Sequence, residues 1–255
     1  MDRNRFEVRA PSNQTVADIF LDGWATDLAS VCGVEGTGSA GLFEDARVGL
    51  AASVLGENGR FDGYKVLELG PLEGAHSYQI EALGVQSNTA VEANSDAFIK
   101  CLLVKEMLQM RTRYLCGDVV SYLRESNEEF DMIFCCGILY HMSDPVELIK
   151  QICLHTSRCF VWTHHYDLDA PLREGKRSPR HVVKNGFETT YYERPYATMD
   201  GALFLGGNQR QTAWLTQAEI TRAFAHFGLS RRSVLAETRD FGLGAHFSAA
   251  YSRSA

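Results

Sequence analysis

Three carboxylates recur along the chain at spacings of roughly two dozen residues: Glu68, Glu92 and Asp118. Each closes a short apolar run, in "VLEL", "TAVE" and "YLCGD". An ionised carboxylate only accepts hydrogen bonds, so the series suits a ligand rich in donors: an ammonium, a pair of ribose hydroxyls, an exocyclic amine. Glu68 leads into "GPLEG", where Gly70 and Gly74 permit close backbone approach, while Leu72 fills a slot that often holds a third glycine. Three histidines follow, His141 in "ILYHMSDP" and the adjacent His164 and His165 in "VWTHHYD". Imidazole is suited to moving a proton near neutral pH. On a strand, adjacent side chains point apart, so only one of His164 and His165 is expected to face a crevice. That also argues against a metal held by the pair with Asp167. His76, just past the glycine loop, reads as a surface or capping residue.

The elements that must position these groups alternate between strand and helix from residue 64 onward. "YKVLEL", "NTAVEA", "RYLCGD", "FDMIFCCG" and "RCFVWTHH" read as short, doubly buried strands. Helices are expected in "AHSYQIEALG", "SDAFIKCLLVKEMLQM", "VVSYLRES" and "SDPVELIKQICLH"; the last has Asp144 as cap, Pro145 in the first turn and Glu147 completing a capping box. This rhythm predicts an α/β fold with a doubly wound parallel sheet, whose strand ends form the ligand crevice. Residues 14–32 and 40–55 read as two N-terminal amphipathic helices. Residues 167–213 break the rhythm and read as an insertion after the fifth strand. The helix "LTQAEITRAFAHFG" follows, with a Thr216–Glu219 capping box, a Leu215–Ile220 staple and a stop at Gly228. "RRSVLAETRD" and "GAHFSAAYSR" are joined by so short a turn that they must pair antiparallel.

The chain of 255 residues carries a formal charge of −7, which counts against nucleic acid or an anionic membrane as the main partner. The start "MDRNRFEVRA" has no apolar stretch of a signal peptide, and no apolar run approaches membrane-spanning length. The seven cysteines include no C-x-x-C pair, which reads as reduced thiols in a cytoplasmic protein with no disulfide framework.

From about residue 60 to 165, and more loosely to 255, the chain resembles the class I S-adenosylmethionine-dependent methyltransferases. "VLELGPLEG" resembles their glycine motif, Glu92 in "AVEAN" their ribose acid, and Asp118 in "CGDVV" their adenine-contacting acid. "FDMIFCCGILYHMSDP" resembles a segment of the small-molecule branch, as does "W-L-T…E-I…F-x-x-F-G" its last helix. The resemblance implies a Rossmann-like seven-stranded sheet of order 3-2-1-4-5-7-6, the last strand antiparallel, and S-adenosylmethionine as cofactor. It places cofactor contacts at Glu68, Gly70, Pro71, Gly74, Glu92, Ala93, Asn94, Asp118, Val119, Cys136, Gly137 and Tyr140. Leu72 departs from the motif and is expected to point away from the cofactor. A nicotinamide-binding domain is the nearest rival, but it calls for G-x-G-x-x-G, and Glu68 would face a pyrophosphate unfavourably. Strand-end acids that merely cap helices are the plain alternative.

Methyl transfer to an oxygen, less readily a nitrogen, of a small molecule is the expected reaction. His141, His164 and His165 are candidate bases, with packing as the plain alternative for each. The turn "CCGILY" lacks the Pro-Pro pair of the enzymes acting on nucleic-acid bases, and no strand-end aspartate suggests a catechol-type metal site. Residues 1–60 are expected to form a lid carrying Asn13, Phe20 and Trp24, with the methyltransferase domain over 61–255. The insertion is expected to bind the acceptor through Tyr140, Arg173, Arg180, His181, Tyr191, Tyr192 and Arg210. Lys176, Arg177 and Lys184 extend its basic run, and Tyr196 and Phe204 its aromatic wall; a solvated loop is the plain reading. An anionic acceptor would suit the run. The rivals are methyl or carboxymethyl transfer to a tRNA base and a non-catalytic cofactor-binding subunit. A monomer or homodimer is expected.

Overall fold

In a computed structural model, residues 6–169, 177–195, 211–239 and 244–254 are described. The first five strands are β1 (Lys65–Leu69), β2 (Ser87–Glu92), β3 (Arg113–Cys116), β4 (Met132–Cys136) and β5 (Arg158–His164). With β9 (Arg231–Thr238) and β10 (His246–Ser252) they form a seven-stranded sheet of order β3-β2-β1-β4-β5-β10-β9. β1 to β5 pair in parallel, and β10 runs antiparallel to both β5 and β9. This is the expected topology, and the order reverses between β1 and β4, where a crevice opens at the strand ends.

Alternation along the strands divides the core. Leu67 and Leu69 of β1, Ile133 and Cys135 of β4 and Val161 of β5 are buried with α6 (Val119–Glu125), α7 (Pro145–His155) and α8 (Gln217–His226). Val66, Met132, Phe134 and Phe160 face the other way, against α3 (Arg47–Leu55) and α4 (Ala75–Ala82). Coverage on both faces explains why these strands read as nearly unbroken apolar runs. α5 (Ser95–Leu108) packs with the N-terminal residues Ala17, Trp24, Leu28 and Val34.

The caps form mostly as expected. The Asp144 side chain accepts from the Glu147 amide at 3.1 Å, and Thr216 from that of Glu219 at 3.2 Å. The Glu147 carboxylate does not reach back to complete its box; it accepts from Arg124, Gln151 and Asn185.

The N-terminal expectation needs correction. Only α1 (Asn13–Ala17), a 3-10 turn at Asp18–Phe20 and α2 (Ala29–Cys32) form where a helix over 14–32 was expected, and α3 alone is α-helical within 40–55. Asp22 turns the chain at φ 60, and the Ala25 and Thr26 amides donate to the Glu73 carboxylate. Amides engaged this way cannot serve an i→i−4 ladder, so residues 21–28 form a strap instead. Gly38 crosses it so closely that a Cβ would sit 2.1 Å from the Ala25 carbonyl.

The insertion folds as a second, antiparallel sheet, β6 (Ser178–Lys184), β7 (Phe187–Pro195) and β8 (Gln211–Trp214), in the order β6-β7-β8. Val182, Phe187, Tyr191 and Ala213 bury into the core shared with α7 and α8. No helix among the described residues is long and apolar enough to cross a membrane.

Candidate active site

The loop after β1 takes left-handed backbone at three alternate positions, with φ 65 at Gly70, 57 at Leu72 and 84 at Gly74. Leu72 therefore occupies a conformation that favours glycine. Its amide donates to Glu92 Oε2 at 3.1 Å, and the Asn94 amide donates to Oε1 at 2.8 Å. Burial raises the Glu92 pKa, and the amides of Asn94, Leu72 and Ala93 oppose the rise. Each carboxylate oxygen keeps acceptor capacity beyond these bonds, which fits a pair of ligand hydroxyls. A Cβ on Gly70 would meet Ile138 Cδ1 at 2.1 Å, so the loop backbone lies tightly against the turn after β4.

The other candidate cofactor residues are placed less uniformly. Glu68 is 1% exposed and lies under the loop, accepting from Ser77 and from Asn88. Burial raises its pKa, and its Oε1 has no hydrogen-bond partner among the described residues. Of the two ways Glu68 was expected to attract a ligand ammonium, directly or through water, burial under the loop disfavours the direct one. Asp118 caps α6 by accepting from Ser121 at 2.8 Å, and Asn94 caps α5. Ala93 and Asn94 are exposed beside Glu92, whereas Pro71 and Val119 are buried. Gly137 turns the chain after β4 at φ 81, its amide donating to the Trp162 carbonyl at 3.0 Å.

Two groups were missed in sequence. Glu73 is 2% exposed and binds the strap amides and Lys100. Arg47, Asp45 and His76 gather at the end of β4. Arg47 lies 3.3 Å from Cys136 Sγ and 4.5 Å over the Trp162 ring, and His76 is 3.1 Å from Asp45. Burial pulls the His76 pKa down, but the Cys136 sulfur and the Asp45 carboxylate outweigh it and hold the imidazole up to about 10. His76 is thus an interior cation rather than a surface residue. Its partners lie 31 and 60 residues away in sequence (76 − 45 and 136 − 76), so no local pattern could have flagged it.

On the acceptor side, His164 and His165 diverge as alternation requires. His164 stacks on Trp214 at 5.7 Å and meets Tyr140 edge-on at 4.7 Å, with His246 at 5.4 Å. His165 turns to Phe247 at 5.7 Å, and burial lowers its pKa. Tyr140 and His141 sit in the 3-10 turn Leu139–His141, their rings 4.1 Å apart. The Tyr140 carbonyl accepts from Trp214 Nε1 at 2.9 Å and from Thr212, so β8 fixes this turn. Burial first, then the charges of His164 and Arg194, lower the His141 pKa to about 4. His141 is therefore neutral near pH 7.

The insertion differs from the expected basic clamp. Arg180 makes a two-pronged contact with Glu193, His181 pairs with Glu188 and Lys184 with Asp144. Arg180 and Lys184 share the face of β6 that carries buried Val182, with Arg180 over the Tyr191 ring, while His181 lies on the opposite face. Tyr191 is fully buried, its hydroxyl donating to Asp144 at 2.6 Å, so it packs rather than lines a pocket. Tyr192 stacks on Tyr166 at 3.7 Å. Arg177, 4% exposed, lies 3.6 Å over the Trp214 ring. Arg173, Lys176, Tyr196, Phe204 and Arg210 lie outside the described residues.

No protein-family model matches the chain. It is similar to the tRNA U34 carboxymethyltransferase of Campylobacter hominis, 32% identical over 91 residues, 35% of this chain and 31% of that protein. The protein of that name from Alteromonas mediterranea is 26% identical over 164 residues, 61% of this chain and 44% of its own length. The chain thus spans less than half the length of these curated relatives. Among solved structures, the N-terminal domain of EvdMO1 in the presence of SAH and D-fucose superposes with a TM-score of 0.69 at 18% identity, covering 95% of both chains. Magnesium protoporphyrin IX methyltransferase from Synechocystis PCC 6803 with bound SAH gives 0.53 at 14% identity, covering 81% of this chain and 82% of that one. With the strand order, the glycine loop and the acid at the end of β2, these likenesses establish that the chain folds as a class I S-adenosylmethionine-dependent methyltransferase.

Proposed function

We propose that the chain transfers a methyl group from S-adenosylmethionine to an oxygen of a small molecule, a hydroxyl on a ring. One observation carries this reading: the wall of Tyr140, Trp162, His164, Trp214 and His246 stands at the ends of β4 and β5, beside the crevice that Glu92 and the glycine loop define. Aromatic and imidazole faces suit the apolar face of a ring, and imidazole edges suit its hydroxyls.

The cofactor, when bound, would supply an electrophilic methyl on a sulfonium, its C–S bond breaking as the acceptor oxygen bonds in line to the carbon and S-adenosylhomocysteine leaving as a neutral thioether. Glu92 would accept from the ribose hydroxyls. Arg47 and His76, two cations beside the end of β4, suit the carboxylate of the amino-acid end. Neutral His141 would take the acceptor's proton, and His164 would orient the ring.

A second reading is transfer to a tRNA base, which the names of the curated relatives favour. The short span of those matches and the net charge of −7 weigh against it. Two solved neighbours covered nearly end to end carry small molecules in their crystals, EvdMO1's N-terminal domain D-fucose and a Burkholderia thailandensis N1-methyltransferase 1,6-didemethyltoxoflavin. The test is a labelled-methyl assay against a metabolite fraction rich in glycosides and, in parallel, against total tRNA. Label in an O-methyl product of low mass supports the proposal, whereas label confined to tRNA overturns it. Cofactor binding without turnover on either would favour the non-catalytic subunit.

A further inference from the structure

Glu73 has no part in the chemistry described so far, yet it holds one of the most fully engaged buried charges in the molecule. Its carboxylate accepts from the Ala25 amide at 3.0 Å, from the Thr26 amide at 2.8 Å and from the Lys100 ammonium at 3.0 Å. Glu73 and Lys100 are 2% and 6% exposed. Lys100 also donates to the Gly23 carbonyl and lies 5.4 Å from the Phe20 ring centre and 5.6 Å from that of Trp24. Strap, loop and α5 thus meet at a single ion pair.

The neighbouring residue gives this pair its consequence. Leu72 presents its amide to Glu92 Oε2, while its carbonyl accepts from Cys101 Sγ on α5 at 3.3 Å. The second Glu92 oxygen accepts from the Asn94 amide at the start of that same helix. One oxygen of Glu92 is therefore aimed by the loop and the other by the head of α5. Glu73 and Lys100 join those two elements immediately beside the Leu72–Cys101 contact, with Lys100 further along α5 from the Asn94 contact. Leu72 stands at φ 57, a conformation that persists only where its surroundings over-determine it. The side chain of the next residue, locked on three donors, supplies that constraint.

We infer that Glu73 and Lys100 form a positioning pair that aims the Glu92 carboxylate at the cofactor ribose and ties the N-terminal strap to the same loop. The inference rests on the reading of Glu92 as the ribose acid. Neither residue touches the ligand. Glu73 acts through the Leu72 amide, and Lys100 holds Glu73 and α5 in register. Loosening the pair frees the Leu72 amide, and a buried Glu92 with fewer donors holds its proton more tightly and accepts less well from a hydroxyl.

The test uses full-length protein with S-adenosylhomocysteine and its 2′-deoxy analogue, titrated calorimetrically against wild type, Glu73→Gln, Lys100→Met and the double variant. In wild type, loss of the 2′-hydroxyl should weaken binding about tenfold, as for a hydrogen bond to a charged acceptor. In Glu73→Gln, S-adenosylhomocysteine should bind about tenfold more weakly while the 2′-hydroxyl is worth less than about threefold, because its acceptor is no longer aimed. The double variant should bind no more weakly than the weaker single variant, within about threefold, as expected for residues acting as a unit. Amide exchange at residues 23–28 should quicken in the same variants. Lys100→Arg, which keeps the charge, should retain the 2′-hydroxyl discrimination. If Glu73→Gln does not fold, Lys100→Met with the same two ligands decides. Undiminished discrimination in a variant, whatever its melting temperature, would sink this inference alone. A wild-type protein indifferent to the 2′-hydroxyl would remove the Glu92 assignment and this inference with it.

Discussion

At the scale of single residues, His141 carries the sharpest pH argument. Burial and the charges of His164 and Arg194 hold its pKa at about 4, against about 6.5 for an exposed histidine. A base must be unprotonated, so His141 is competent throughout pH 6–9, and any limb it imposes on kcat/KM lies near pH 4. His141→Ala should lower turnover about a hundredfold or more across pH 6–9 while leaving S-adenosylhomocysteine affinity within about threefold. Turnover close to wild type over that range refutes the assignment. The same shift affects stability with a definite sign. Between pH 6.5 and 4 the unfolded chain binds a proton that the folded chain refuses, so stability falls as pH falls through that window. His141→Gln should flatten that slope in denaturant titrations. Legibility at this scale follows contact range. The place of Glu92 at the end of β2 was readable because a strand end announces itself locally, and the divergence of His164 from His165 because a strand alternates. Glu73, Arg47 and His76 were not, because their roles come from contacts such as Glu73 with Ala25, 48 residues away. Alternation likewise says that Tyr191 and Tyr192 part company, but not which of them the core takes.

At the scale of elements, the glycine loop makes a prediction from backbone geometry. Gly70 has φ 65, and a Cβ there would meet Ile138 Cδ1 at 2.1 Å. Gly70→Ala should therefore cost about 1–2 kcal/mol in left-handed strain and more for the clash. Adding Ile138→Ala relieves the clash and leaves the strain, so urea unfolding should show the double variant less stable than Ile138→Ala alone by about that amount. Leu72→Gly runs the other way, relieving strain at φ 57 while losing a half-buried side chain and gaining unfolded-state entropy. Its stability should change by less than about 1 kcal/mol, and a loss of several would show that the leucine side chain is what holds the loop. The strands of the main sheet, α4 to α8 and the Asp144 and Thr216 caps were legible because short apolar runs and capping pairs are local signals. The strap was not. Val16, Ile19, Phe20 and Trp24 have helical spacing, but the buried Glu73 carboxylate claims the amides that would have continued the helix, and tertiary bonding prevails over periodicity there.

At the scale of the whole molecule, charge decides between the two acceptor classes. Binding to tRNA depends on cations that replace counterions along the phosphate backbone, with a salt slope that grows with each contact. This chain has a formal charge of −7, and three described cations of its basic run pair with acids, Arg180 with Glu193, His181 with Glu188 and Lys184 with Asp144, while Arg177 is buried over Trp214. That pairing could not be read from the run itself, because Glu188 and Glu193 lie on β7, across the hairpin from Arg180 and His181. The sheet order, by contrast, was what the resemblance to the class I methyltransferases implied, carried by motifs spread along the chain rather than by any one run. A chain that transfers to a small acceptor should bind tRNA no better than non-specifically, with a dissociation constant of about 1 μM or weaker at physiological salt. Fluorescence anisotropy with labelled tRNA at low and physiological salt measures this directly. A dissociation constant near 10 nM with a steep salt slope would mean that a cationic face survives despite the paired run, and the tRNA reading would then replace the small-molecule one. Weak binding at both salts would support the proposed small acceptor and its proposed seat at Tyr140, His164 and Trp214.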